Sequence, residues 1–151
     1  MDLMTAMDIS ATGMAAERIR LNVISMNLAN AQTTKTEEGI PYQRRTVIFR
    51  TTPLSRLFPV RSYFAQVLQD YLDSEVDGVK VERIEKMGGD FRQVYDPAHP
   101  DADENGYVLY PNINLVEEMV NMLEASRSYE ANVTAVKAAK SMALKAMEIG
   151  R

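Results

Sequence analysis

The stretch NINLVEEMVNMLEASRSYEANVTAVKAAKSMALKAMEI, residues 112–149, holds neither proline nor glycine, and its pattern decides the fold class. One seam runs Leu115, Met119, Met122, Ser126, Tyr129, Val133, Val136, Lys140, Ala143 and Met147 in alternating steps of four and three. All but Ser126 and Lys140 are apolar, so one face of a long helix repeats without a break. Asn114, with Glu117 three residues later, fits an N-cap and its reciprocal partner, and Pro111 lies just upstream. Gly150 is placed to end the helix. At 1.5 Å per residue such a helix is roughly 50 Å long, a rod rather than an element of a small globule.

A second seam lies at the other end of the chain. Met4, Met7, Ala11, Met14, Leu21 and Leu28 share a 3-4 spacing, interrupted by Arg18 and Ser25, with Ile24 on the same side and Gly13 weakening it. The pattern stops near Asn30–Thr36, where turn-forming side chains cluster. The division of the chain is therefore 1–35 as an N-terminal helical arm, 36–111 as a centre and 112–151 as a long C-terminal helix. Composition supports it: all six prolines and ten of the eleven aromatics fall in the centre, and nine of the ten methionines in the arms. Acids and bases balance in each arm, so the net charge of −4 sits in the middle. Burial along one seam falls short of the entropy lost in ordering two arms, so the arms need further neighbours.

The centre reads as short strands: Val47 and Phe49, Val79 and Val81, Phe91 to Tyr95, and Tyr107–Tyr110 alternate with polar residues. Gly78, Gly88-Gly89 and Asn105-Gly106 punctuate them, the last a favoured hairpin turn. Val60, Phe64, Val67, Leu68, Tyr71 and Leu72 recur at helical spacing and predict a short helical insertion. The fold class is α+β: two long terminal helices pairing as a coiled-coil-like arm, with a small β-rich module between them. Residues 44–61 carry five arginines and no acid, while Asp70, Asp73, Glu75 and Asp77 follow with no base, which reads as two solvated faces, a patch for an anionic partner or head-to-tail charge complementarity between copies.

Several classes are excluded. No apolar run approaches the ~20 residues of a membrane span, and the acidic N-terminus lacks the plan of a secretory signal. Without cysteine there is no disulfide, thiolate catalyst or thiolate zinc site. A pI near 5.1 argues against nucleic-acid binding. Asp101 to Gly106 resembles the opening of a calcium loop, but Asn112 stands where that loop needs a bidentate Glu. His99, between Pro97 and Pro100, is a turn residue rather than a ligand. No phosphate loop or nucleophile elbow is present, so no catalytic, cofactor or metal residue is assigned.

Particular residues go further. Leu21-Asn22-Val23, then Asn27-Leu28-Ala29-Asn30-Ala31 with Thr33, resembles the N-terminal signature of the axial proteins of the bacterial flagellum. Gly39-Ile40-Pro41-Tyr42, Gly78-Val79-Lys80-Val81, Val94-Tyr95-Asp96-Pro97-Ala98-His99-Pro100-Asp101-Ala102-Asp103, Glu118-Met119-Val120 and Ala125-Ser126-Arg127-Ser128-Tyr129-Glu130-Ala131-Asn132 narrow the resemblance to the FlgC-type, proximal-rod family. The resemblance covers nearly the whole chain, although 51–77 looks long for the family. It implies a structural subunit of the basal-body proximal rod, part of the drive shaft. Implied with it are self-association, partners of the FlgB, FlgF, FlgG and FliE types, delivery by the flagellar type III export apparatus without a cleaved signal, a periplasmic location and no enzymatic activity. The alternatives are another axial rod subunit, or a periplasmic calcium- or peptidoglycan-associated binding protein.

Within that frame the seams are expected to meet through Leu21, Ile24, Leu28, Met119, Met122, Val133 and Val136. Asn27, Asn30 and Thr33 are expected to tie off the first helix by side-chain hydrogen bonds. Arg127 and Asn132 are placed to reach a neighbouring subunit while Tyr129 occupies the seam.

Overall fold

The computed structural model describes residues 3–54 and 76–149. Helix α1 spans Leu3–Ala29, strand β1 Arg45–Pro53, β2 Asp77–Lys86, β3 Arg92–Tyr95 and β4 Tyr107–Tyr110, and helix α2 spans Leu115–Ile149. The fold is α+β with the two long helices packed against each other. None of the described helices is long and apolar enough to cross a membrane. The insertion helix over Val60–Leu72, Gly150, Arg56, Arg61, Asp70, Asp73 and Glu75 lie outside the described residues.

The start of α2 follows from its cap. Asn114 Oδ1 accepts from the amides of Val116 (3.1 Å) and Glu117 (3.4 Å), and its carbonyl accepts from Glu118 N at 3.0 Å. Glu117, expected to reach back to the cap, lies instead beside Arg44, 3.9 Å away. At the end of α1, Asn30 Nδ2 donates to the carbonyl of Met26 (2.9 Å), which also accepts from Asn30 N (3.1 Å), and Thr33 Oγ1 donates to Asn30 Oδ1 (3.2 Å), so the two side chains brace the last turn.

The helices run antiparallel, and the line of contact sits beside the predicted seam. Asn27 meets Glu118, Arg20 lies 3.8 Å from Glu124, and Gly13 meets Asn132. On α2 the innermost positions are Glu118, Ala125 and Ala139, with Asn132 in step seven residues on from Ala125. The sequence seam shares Met122, Tyr129, Val136 and Ala143 with this face. At Met119, Ser126, Val133 and Lys140 it falls one residue late, and its two ends, Leu115 and Met147, are exposed. The reason is steric: the closest approach of two helices selects small or mutually bonded residues, and bulky apolar ones flank it. A Cβ at Gly13 would stand 3.0 Å from Asn132 Nδ2. Gly13 is therefore a contact residue rather than a weakness.

The centre is two separate antiparallel ladders, not one sheet. The β1–β2 pair runs from Arg45↔Lys86 to Pro53↔Asp77 with a bulge at Ile48/Phe49. It packs along α1, giving that helix the second neighbour it needs. Thr12, buried on α1, joins them: its Oγ1 accepts from Val79 N at 3.1 Å and donates to the carbonyl of Ile9 at 2.7 Å. The β3–β4 pair closes through residues 96–106. There Asp103 Oδ1 accepts from the amides of Asn105 and Tyr107, at 3.0 and 2.8 Å. Gly106 adopts φ +80° and donates to the carbonyl of Asp103 at 3.0 Å, so the Asn-Gly pair does form a turn. His99 organises the same loop, its Nδ1 accepting from Asp101 N at 3.1 Å.

The close approach at Gly13 can be tested directly. Gly13→Val forces the helices apart and lowers stability by about 1–3 kcal/mol in urea unfolding. In an Asn132→Ala background, Gly13→Ala gains about 1 kcal/mol, the difference in helix propensity once space exists. An unchanged Gly13→Val midpoint would show that the helices are not held at this spacing.

Candidate assembly interface

Four segments converge on one side chain. Asn27, 1% exposed, lies at the end of α1 and turns inward. Its Nδ2 donates to the carbonyl of Arg45 (2.8 Å) and to Glu118 Oε2 (2.9 Å), while its Oδ1 accepts from Arg45 N (2.9 Å) and Tyr42 OH (3.0 Å). Two donors and two acceptor positions are all in use, the full capacity of an amide. Asn27 was expected to tie off its own helix. It instead holds the start of β1, the loop after α1 and helix α2 together.

Glu118 carries a charge into this site and is also 1% exposed. Its Oε1 accepts from Arg44 Nε at 2.8 Å and Nη2 at 2.6 Å, and Arg44 is three-quarters covered. A buried carboxylate is costly unless its lone pairs are filled, and here Asn27 and Arg44 fill them. Displacing α2 along α1 would separate Glu118 from both, so the pair fixes the register of the two helices. Burial pushes the Tyr42 phenol above its ordinary value of 10.0; the Arg45 cation opposes this and the Glu118 charge adds to it.

The other expected residues fall into three groups. Ile24 is buried, and Leu21, Leu28, Met122, Tyr129, Val133 and Val136 are partly covered. Asn132 is turned toward Gly13 within the chain, its Nδ2 donating to the carbonyl of Ser128 at 3.0 Å, rather than outward to a neighbour. Met119 and Arg127 are exposed. Around Met119 a row of apolar side chains stands open: Leu115, Val116, Met119, Val120 and Leu123 are 44–64% exposed. Near the far end of α2, Met142, Leu144 and Met147 are exposed as well.

Tyr42, Arg44 and Glu118 as a cluster were not found from sequence. A clue exists in the seven-residue row Glu118, Ala125, Asn132, Ala139, small or polar throughout, which apolar periodicity passes over. Among the described residues no group of three or more His, Cys, Asp or Glu gathers to hold a metal.

Comparison with known proteins fits this geometry. A family model described as "Flagella basal body rod protein" matches residues 7–35, and one described as "Flagellar basal body rod FlgEFG protein C-terminal" matches residues 104–149. The chain is 42% identical to the flagellar basal-body rod protein FlgC of Borreliella burgdorferi, covering 99% of this chain and 98% of the relative. It is 39% identical to that of Bacillus subtilis over 97% of both, and 36% identical to that of Salmonella typhimurium over 100% of both.

Removing one partner from the buried cluster strands the other. Arg44→Leu is expected to cost about 3–5 kcal/mol in chemical unfolding, and Asn27→Ala about 2–4 kcal/mol. Arg83→Leu, whose partners Glu82 and Glu85 lie in solvent, should leave the midpoint where it is. Because folding raises the Tyr42 pKa, its share of stability is complete below pH 10 and is lost as pH climbs through the folded value. Stability measured from pH 8 to 11.5 should therefore fall more steeply in the parent than in Tyr42→Phe, and parallel curves would remove Tyr42 from the account.

Proposed function

The chain belongs to the FlgC family of flagellar basal-body rod proteins and is a structural subunit of that rod; from this premise we propose that it polymerises through its terminal helices within the proximal, periplasmic part of the drive shaft. The observation that carries this is the open apolar row Leu115, Val116, Met119, Val120 and Leu123. The Asn27–Glu118 bond holds the neighbouring side of α2 against α1, so this row is left for another subunit.

In this reading residues 1–35 and 112–151 form the inner layer of a tube, and residues 36–111 supply the contacts that distinguish this subunit. Leu21, Ile24, Leu28, Met122, Val133 and Val136 brace the helices, Asn27, Asn30 and Thr33 fix the end of α1, and Asn132 sets the spacing at Gly13. Met119 serves the outer face, with Arg127 and the polar end of Tyr129 reaching an adjacent copy. Methionine suits contacts that differ slightly from one copy to the next, because its side chain is unbranched and flexible. Balanced charge lets many arms crowd about one axis without repulsion. The neighbours are further copies and subunits of the FlgB, FlgF, FlgG and FliE types, and delivery is through the flagellar type III export apparatus. No catalytic role is assigned.

Val120→Asp and Leu123→Asp test the row, since both positions are open to solvent and need no repacking. Purified variants should keep the parent's helicity and melting temperature, and the chain should still be exported. Rods should not form, and swimming in soft agar should be lost. Ordinary motility in both variants would mean that the row faces no subunit.

A further inference from the structure

The β3–β4 ladder has an outward face that the terminal helices do not use. Its inner side holds Val108, which is buried, with Val94 and Tyr110 partly covered and the Arg92 guanidinium 5.8 Å from the Tyr110 ring. On the opposite side the register pairs Tyr95 with Tyr107 and Gln93 with Leu109, and all four are exposed. Tyr95 is 66% and Tyr107 44% exposed, packed edge to face with ring centroids 5.3 Å apart. These rings are held in place. A Cβ at Gly106 would stand 3.0 Å from Tyr95 Cε2, so the glycine seats the ring against the backbone. Exposed aromatics fixed before binding are typical anchors of protein interfaces, because little freedom is left to lose.

Charge identifies the occupant. From residue 93 to residue 126 the chain carries seven acids and no lysine or arginine. Asp96, Asp101, Asp103 and Glu104 lie on the loop joining the two strands, and among the described residues none of these four is in an ion pair. A groove of about 350 Å³ runs from Tyr107 and Leu109 to Asp101 and Asp103, with Lys35 at its side. Unpaired carboxylates beside aromatic faces attract a guanidinium or ammonium group and repel anionic polymers and lipids.

We propose that the Gln93–Tyr95–Tyr107–Leu109 face docks an arginine- or lysine-bearing segment of a different basal-body protein, the cation seated over the tyrosines and among the loop carboxylates. This rests on the chain's place in the rod. It adds a second contact, on the outward ladder and separate from the helical row.

The test uses the full chain in flagellate cells, with a photo-cross-linking amino acid at position 109. The adduct is identified by mass spectrometry from purified basal bodies. The expected cross-linked peptide comes from another protein and carries Arg or Lys within a few residues of the linkage. Glu104→Lys, at a side chain with no hydrogen bond among the described residues, and Tyr95→Ser should each lower the yield roughly fivefold or more. Tyr95→Phe should retain it. An adduct to a second copy, to glycan or to a peptide without a cation overturns the proposal, as does no adduct from a chain present in basal bodies. A chain missing from basal bodies brings down its placement in the rod as well.

Discussion

A single carboxamide sets the geometry of this molecule. Asn27 has no unused hydrogen-bonding capacity: two of its bonds go to the backbone of Arg45, one to Tyr42 and one to Glu118. Those partners lie on the strand, the loop and the long helix, so one residue defines where each begins relative to α1. Glu118 then recruits Arg44, and the carboxylate is kept from water by the elements it joins while the guanidinium stays a quarter exposed. Such a cluster contributes little net stability, because desolvation offsets most of the attraction. Its effect is selection: every other register of α1 on α2 leaves a buried charge without a partner.

From that register the division of surfaces follows. Gly13, Ala125 and Ala139 let the helices come close, and the bulky methionines, valines and leucines are displaced to the flanks. Helix α2 thus packs with small and polar residues against an α1 that buries Val23 and Ile24, and keeps much of its own large apolar surface open. An ordinary globular domain does the reverse. This inversion fits a subunit whose final core is shared with neighbours, which is the basis for placing polymerisation on the helices.

The two long helices were legible because neither the absence of proline and glycine between Pro111 and Gly150 nor the 3-4 spacing permits much else. The strands around Val47, Val79, Phe91 and Tyr107 were legible from alternation, and Asn114 as a cap from its spacing. The line of helix contact was placed one residue late at Met119, Ser126, Val133 and Lys140. Periodicity reports where large apolar side chains lie, and in this chain they flank the intramolecular contact. The Asn27–Tyr42–Arg44–Glu118 cluster could not be read, since its bonded partners lie 15 to 91 residues apart and polar residues carry no periodic mark. The division of the centre into two ladders depended on β1 and β2 finding α1, a tertiary preference invisible in strand patterns.

The spacing of Glu118, Ala125, Asn132 and Ala139 has a mechanical meaning. Contacts that recur every seven residues fall short of two full turns of a straight helix, by roughly 20° per repeat, so keeping them in register favours a left-handed winding of the pair. A left-handed rope is not symmetric under twist: turning it one way draws its strands together, and turning it the other way eases them apart. Handedness written into one helix as small residues would therefore give such a pair a stiffer and a softer sense of twist.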